Sequence, residues 1–182
     1  MKKAVAIQII LTLIIINLKA QDITQKDNSL IDNLYISKMN IKKERLSSEE
    51  LGKVFSGTFY RVSPRFAFGA DETMFACTKK IMIINNGKIF EMASFATNLE
   101  PLIKNNFFLK TETDVNTFEA ALDAIDPIGE WDMGDKEHLK KDNKWYFVRK
   151  VGFGYKHAYI VITDQNSKIT DIDYSREAIK TE

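Results

Sequence analysis

The stretch from Trp145 to Tyr174 carries the densest strand signal in the chain and constrains the fold more than any other. It holds three runs rich in β-branched and aromatic residues, separated by polar turn residues: 145–148, 158–163 and 169–174. Runs of this composition at this spacing are typical of neighbouring antiparallel strands. The sequence therefore predicts a set of hairpins in this part of the chain.

A similar pattern occurs earlier. The apolar run 81–84, the turn Asn85-Asn86-Gly87 and the run 88–92 predict a tight hairpin, because Asn and Gly readily accept positive φ. Residues 160–172 repeat its order of β-branched run, polar turn, Lys-Ile, acid and apolar residue. We predict an α+β fold in which antiparallel sheets carry helices on one face. The alternatives are two tandem helix-strand-strand-strand modules, at 46–94 and 112–174, and unrelated hairpins that share only turn chemistry.

Two helices have clear sequence signals. Residues 46–51 predict a helix over 48–55, with Ser47 as its cap and Glu50 reaching back to the cap amide. The clearest helix is predicted to be capped by Thr113 or Asp114 and to end before Pro127. Its apolar residues recur at steps of three and four: Val115, Phe118, Leu122 and Ile125. This spacing predicts one buried helix face.

Weaker signals cover the rest of the chain. Short helices are predicted over 28–38, with a strand at 34–36 as the alternative, and over 97–105. Strands are predicted at 58–68 and 73–77, the first interrupted or at an edge because Pro64 lacks an amide donor. Residues 128–143 are predicted to be a charged connector with a short helix at 136–141.

The first twenty residues have the pattern of a secretory signal peptide. Lys2 and Lys3 precede an apolar run from Ala4 to Leu18. The run is shorter than the ~20 residues of a bilayer-spanning helix, so we predict no stable membrane span. Cleavage is expected after Ala20. Residues 21–182 are then expected to form a single secreted or periplasmic domain.

Charge and cysteine content narrow the function classes. Removal of residues 1–20 takes away three lysines and no acid, so 23 basic residues stand against 25 acidic ones. This balance does not favour binding to nucleic acid. The one cysteine, Cys77, cannot form an internal disulfide, and its apolar neighbours predict that it is buried.

Residues suited to catalysis are few. His138 lies in a hydrophilic run and is predicted to be a solvated surface side chain, and His157 lies at a strand start. Asp171 and Asp173 are two apart on a predicted strand and share a face, where they could serve a cation or acid–base chemistry. The alternation of a half-buried strand already accounts for this pair, so the polar face of a strand is the favoured interpretation. With no H-E-x-x-H motif or paired cysteines, we predict no catalytic residues, no metal site and no cofactor.

Aromatic residues are more numerous than one sheet face requires. Consecutive aromatics such as Tyr146 and Phe147 point to opposite faces of a strand. We therefore predict an exposed protein-binding surface, because exposed aromatics mark recognition sites. Its residues are Trp145, Phe147, Tyr155, His157 and Tyr159. The alternative is a core on both faces of the sheet.

The order of elements in the second half resembles a known envelope module. The helix at 115–125, Pro127, Trp145-Tyr146-Phe147 and the turn at 163–169 are similar to the helix-then-hairpins module of the small-protein-A outer-membrane lipoproteins. The secreted β-lactamase inhibitor proteins carry two such modules, and both groups are non-enzymatic binders. The resemblance covers 112–174 and, less closely, 46–94. This chain differs in having no lipidated cysteine and no disulfide.

Three classes of function remain open. The first is a secreted or periplasmic non-catalytic protein-binding domain, such as an envelope-assembly factor, an inhibitor or an immunity-type protein. Its partner is then another envelope or secreted protein. The alternative is a small envelope hydrolase that uses His157 with Asp171 or Asp173, or a small-molecule-binding protein with an aromatic-lined pocket.

Overall fold

The computed structural model describes six segments of the chain: residues 25–32, 40–65, 80–92, 98–125, 136–151 and 155–175. The predicted signal peptide, the predicted strand at 73–77, Cys77 and the first half of the predicted connector, 128–135, lie outside these segments. The side chains of Tyr155 and His157 also lie outside them, although the backbone of both residues is described.

The described strands form two antiparallel four-stranded sheets, each with its strands in chain order. Sheet 1 consists of β1 (Asn40–Leu46), β2 (Thr58–Arg65), β3 (Lys80–Asn85) and β4 (Lys88–Glu91). Sheet 2 consists of β5 (Lys136–Lys141), β6 (Lys144–Val151), β7 (Tyr155–Thr163) and β8 (Ile169–Ser175). The predicted α+β class with antiparallel sheets is therefore confirmed.

Helices precede or interrupt both sheets. Helix α1 covers residues 25–32, α2 is Glu49–Val54, α3 is Glu112–Ile125, and a 3-10 turn spans Glu100–Leu102. Thus α2 is followed by three strands of sheet 1, and α3 is followed by the four strands of sheet 2. The predicted helices over 28–38 and 97–105 are present in part, with different bounds.

Helices α2 and α3 both begin with side-chain caps. At α2 the cap is Ser48 and not the predicted Ser47, because the Ser48 hydroxyl accepts a 2.9 Å bond from the Leu51 amide. Helix α3 begins at Glu112, so its cap is Thr111 and not the predicted Thr113 or Asp114. Thr111 and Asp114 form a reciprocal pair. The Asp114 carboxylate accepts from the Thr111 amide at 2.8 Å, and the Thr111 hydroxyl accepts from the Asp114 amide. Such pairs satisfy amides that the helix itself leaves unbonded.

Two strands differ from the sequence prediction. Lys136–Lys141, predicted as connector or helix, is strand β5, and Asn40–Leu46, for which no strand was predicted, is β1. Each lies at the edge of its sheet and is rich in lysine. Charged edge strands prevent unwanted pairing with other chains, but their charges hide the alternation by which strands are recognised.

The strand around Pro64 is continuous. Pro64 lies within β2, opposite Ile41 of β1. In the described segments, the pairing of β2 with β3 ends at Val62 opposite Lys80.

Phe118 of α3 lies at the centre of the main hydrophobic core. Its ring centroid is 5.3 Å from that of Phe147 in sheet 2 and 6.2 Å from those of Phe55 and Phe107. One cluster of buried residues therefore includes α2, α3 and one face of each sheet. We call these the inner faces of the sheets.

A second connector, residues 103–109 before α3, makes backbone contacts with α2 and with the turn before β8. The Lys104 amide donates to the Val54 carbonyl at 2.9 Å, and Phe55 forms an isolated bridge with Ile103. Further along, the Leu109 amide donates to the Ser167 carbonyl at 2.9 Å. These bonds satisfy buried polar groups of the connector and place it between the two sheets.

Helix α1 covers the outer face of sheet 1. Ile31, fully buried, and the partly buried Leu30 belong to a second hydrophobic cluster with four residues of this face: Tyr60, Val62, Met82 and Ile84. The Tyr60 hydroxyl donates to the Asp27 carboxylate at 3.0 Å, and Lys43 lies 2.7 Å from Asp32. Burial, helped by the Asp27 bond, raises the pKa of Tyr60 to about 12.

The Tyr60–Asp27 bond predicts an alkaline loss of stability. Because the folded pKa exceeds the ordinary tyrosine value of about 10, the stabilisation is complete below pH ~10 and is lost as the pH rises towards 12. We expect Tyr60→Phe to lower the free energy of unfolding at pH 7 by about 1–3 kcal/mol, since Asp27 loses its donor. The difference from the wild type should shrink above pH ~10.

Urea denaturation at a series of pH values measures this difference. Tyr146→Phe is the matched control, because the Tyr146 hydroxyl has no hydrogen bond to the described residues, and it should have little effect. A difference between Tyr60→Phe and the wild type that stays constant from neutral pH to pH 12 would contradict the assignment.

Candidate functional site

The five residues of the predicted surface do not form one exposed patch. Phe147 and Tyr159 are 0% and 1% exposed and belong to the main core, which corrects the prediction for these two side chains. The reason is strand alternation: the residues share the inner face, which α3 covers. Trp145 is partly buried at the edge of the same core. Tyr155 and His157 lie in β7, and the position of their side chains is outside the description.

Trp145 is packed among side chains of β5 and β6. Its ring stacks on Phe147 with centroids 6.5 Å apart and lies 6.2 Å from the ring of His138. The Lys140 ammonium is 5.4 Å above the indole, within range of a cation–π interaction. The Trp145 side chain therefore closes one end of the core.

Arg149 attaches α3 to the inner face of sheet 2. Its side chain is 1% exposed, and its two terminal nitrogens lie 2.8 Å from Glu119 and 2.7 Å from Asp123. These acids are four residues apart and therefore share one helix face. A buried guanidinium requires such partners, because an unpaired charge in the core is strongly unfavourable.

His138 is also paired, which corrects its prediction as a solvated surface side chain. Its Nδ1 lies 3.0 Å from Glu119 and its Nε2 lies 3.0 Å from Glu112, with the side chain 20% exposed. Glu119 therefore bridges His138 and Arg149. Since both ring nitrogens face carboxylates of α3, this arrangement links helix and strand and leaves neither nitrogen directed at a hydroxyl or thiol.

The opposite side of sheet 2, its outer face, is a different surface. Strand pairing places two rows of side chains on it, Leu139–Tyr146–Ile160–Asp173 and Lys141–Lys144–Ile162–Asp171. The apolar members occupy the centre, with lysines towards β5 and aspartates on β8. The four apolar side chains are half-buried, and none of them belongs to either hydrophobic cluster. In the next row, Val148 and Ala158 are buried, also outside both clusters.

The two sheets have matching outer faces. In sheet 1 the pairing gives the row Arg45–Tyr60–Met82–Glu91. Sheet 2 has the same order of a tyrosine, an aliphatic side chain and an acid on its second, third and fourth strands. On sheet 1 this row lies under α1. Among the helices described, none belongs to a cluster that includes the outer face of sheet 2.

The residues of the hydrolase alternative are divided between the two faces. His157 is paired with Arg149, which faces α3. Asp171 and Asp173 are paired with Ile162 and Ile160 on the outer face. Because directly opposed residues of an antiparallel pair share a face, the register position of His157 is on the other side of the sheet from both aspartates. The register does not favour their use as one catalytic set.

Two searches concern other kinds of site. In the described segments, no group of three or more His, Cys, Asp and Glu side chains is arranged to bind a metal ion. Within those same segments, no helix combines the length and apolar character needed to cross a membrane.

Comparison with models of known protein families, with curated proteins and with solved structures found no match. The fold and the site therefore have to be interpreted from this chain alone.

The sequence contained a signal for the outer face, which underlies the alternative of a core on both faces of the sheet. Tyr146, Val148, Ile160 and Ile162 are apolar at the positions that alternate with the core residues. A strand that is apolar on both sides predicts two covered faces. The ionic anchor was less visible, because Glu119 and Asp123 are ordinary helix residues until β6 supplies Arg149.

Removal of the Arg149 guanidinium should weaken the attachment of α3. We expect Arg149→Met to lower the free energy of unfolding by about 3–5 kcal/mol, because Glu119 and Asp123 then lack their buried cation. Adding Glu119→Gln and Asp123→Asn should recover part of this loss. Urea denaturation measures all of these variants.

Lys53→Ala is the control for the Arg149 variants. It removes an exposed helix pair with Glu49, 2.7 Å apart, and should not change stability measurably. A triple variant no more stable than Arg149→Met would show that lost packing, and not the loss of the guanidinium from Glu119 and Asp123, causes the effect.

Proposed function

We propose that this protein is a non-catalytic protein-binding domain of the cell envelope or the secreted space. It contacts its partner through the outer face of sheet 2. The observation that carries the proposal is the apolar centre of this face, formed by Tyr146, Ile160, Ile162 and Leu139, which lies outside both hydrophobic clusters. The corresponding face of sheet 1 is covered by α1.

The composition of this face supports a protein partner. Protein interfaces have an apolar centre within a polar rim, and tyrosine is enriched among the residues that contribute most to binding. Here a tyrosine and three aliphatic side chains lie between lysines on one side and aspartates on the other. The opposed charges would orient a partner and accelerate its approach.

The arrangement of the titratable groups supports a role without catalysis. His138, Glu119, Asp123 and Arg149 engage one another across the boundary between α3 and sheet 2. Their geometry serves attachment of the helix, because Arg149 and His138 each face carboxylates of α3. The expected signal peptide and the resemblance to non-enzymatic envelope binders agree with this class of function.

Charge placed at the centre of the outer face tests the proposal. We expect Tyr146→Lys to reduce capture of the partner from envelope extract at least about tenfold, because a buried lysine at an interface lacks a counter-charge. Phe90→Lys is the matched control, since Phe90 is a 43% exposed aromatic residue in sheet 1. Captured proteins are identified by mass spectrometry.

Thermal unfolding of each variant shows whether it is folded. Equal capture by the wild type, Tyr146→Lys and Phe90→Lys would contradict the outer face as the binding surface. Failure of the wild type to retain any envelope protein would contradict the binding function itself.

A further inference from the structure

We infer that His138 is a pH-dependent latch between α3 and sheet 2. When its ring carries both protons, it binds Glu112 and Glu119 at the same time. When the ring gives up one proton, the contact with Glu112 is lost and the contact with Glu119 stays. The helix is therefore attached more tightly in acid than in alkali.

The two contacts of the His138 ring require two protons. Its Nδ1 lies 3.0 Å from Glu119 and its Nε2 lies 3.0 Å from Glu112. An ionised carboxylate only accepts hydrogen bonds, and a neutral imidazole has one N–H, whereas the imidazolium has two. In the neutral ring, one nitrogen would direct a lone pair at a carboxylate. The observed geometry is therefore that of the imidazolium.

The charges around the ring favour the same form. Glu112, Glu119 and Asp123 are spaced so that all three carboxylates lie on one face of α3. Two permanent cations meet them, because Arg149 contacts Glu119 and Asp123, and Lys136 contacts Asp123 at 2.8 Å. The imidazolium supplies the third positive charge, so three acids face three cations.

The other neighbours of His138 within the described segments affect its charge less. The rings of Trp145 and Phe147 on β6 lie 6.2 Å and 6.1 Å from the imidazole and are uncharged. Two lysines on β5 itself oppose a positive ring, but Lys136 is paired with α3, and Lys140 is exposed and lies over the Trp145 indole. Water screens such an exposed charge.

The two carboxylates differ in how readily they leave the ring. The Glu119 side chain is 15% exposed and is also bound by Arg149 at 2.8 Å, whereas the Glu112 side chain is 71% exposed. An exposed carboxylate regains its hydration when it moves away, but a buried one loses a partner that water does not replace. The ring therefore keeps its last proton on Nδ1, towards Glu119, and releases Glu112.

Removal of the Glu112 charge at two pH values tests the latch. The values are about pH 5.5 and pH 8.5, on either side of the ordinary histidine value of about 6.5 and above the ordinary glutamate value of about 4.3. We expect Glu112→Gln to lower the folding equilibrium constant about threefold more in acid than in alkali, as for a partly exposed ion pair. The part common to both pH values is the loss of an acid from the first turn of a helix. Urea denaturation at low salt measures the effect.

Two controls isolate the histidine. In the His138→Gln background, Glu112→Gln should have the same effect at both pH values. Glu49→Gln is the matched control in another helix, because Glu49 is the first residue of α2 and is paired at 2.7 Å with Lys53, which stays charged at both pH values. Its effect should not depend on pH.

NMR of the ring nitrogens locates the last proton. The chain has two histidines, so the spectrum of His138→Gln identifies the His138 signals. We expect protons on both nitrogens at about pH 5.5 and on Nδ1 alone at about pH 8.5. A proton on Nε2 in alkali would overturn the inference, because the ring would then keep Glu112.

The stability measurements also decide the matter in either direction. An effect of Glu112→Gln that is equal at both pH values, or a pH dependence that survives in His138→Gln, overturns the latch. A larger effect in acid that disappears in His138→Gln supports it.

Discussion

The burial of one guanidinium determines which side of sheet 2 faces α3. Arg149 has almost no exposed surface, so its charge is compatible with the core only where carboxylates meet it, and α3 supplies Glu119 and Asp123 there. This fixes α3 against the inner face, where Phe118 packs on Phe147. Strand alternation then directs Tyr146 and Ile160 to the opposite side. The candidate binding surface is thus a consequence of the ion pairs on the other face.

The two sheets correspond more closely in which residues occupy each face than in the order of residue types along the sequence. Matching the hairpins by their β-branched runs sets Ile81 beside Ile160. In the structure Ile81 lies in the main core, whereas Ile160 lies on the outer face opposite Tyr146. The residue that occupies the position of Ile160 is Met82. Because a strand alternates with a period of two, a shift of one residue exchanges the faces. The correspondence between the sheets could be recognised only once their pairing was known.

Local signals predicted the elements that local interactions stabilise. The Asn86-Gly87 turn has positive φ at both residues, and the apolar spacing of α3 matches its buried face. Predictions were incomplete where a distant partner decides the outcome. His138 was expected in solvent, since nothing nearby in the sequence reveals that Glu112 and Glu119 lie against it. Strand β5 was missed for the same reason, because its lysines and His138 acquire their partners from α3 and β6.

In the described segments, the two sheets protect their edges in the same way but differ in what lies on their outer faces, and this difference is the basis of the proposed function. Exposed sheet edges invite pairing with other chains, and lysine-rich β1 and β5 oppose it. An apolar sheet face invites association in the same way. Sheet 1 places a helix over that face, and the Asp27–Tyr60 bond fixes its position. Sheet 2 keeps the tyrosine and the aliphatic row between lysines and aspartates. A chain that protects its edges while keeping this row has a surface suited to a specific contact.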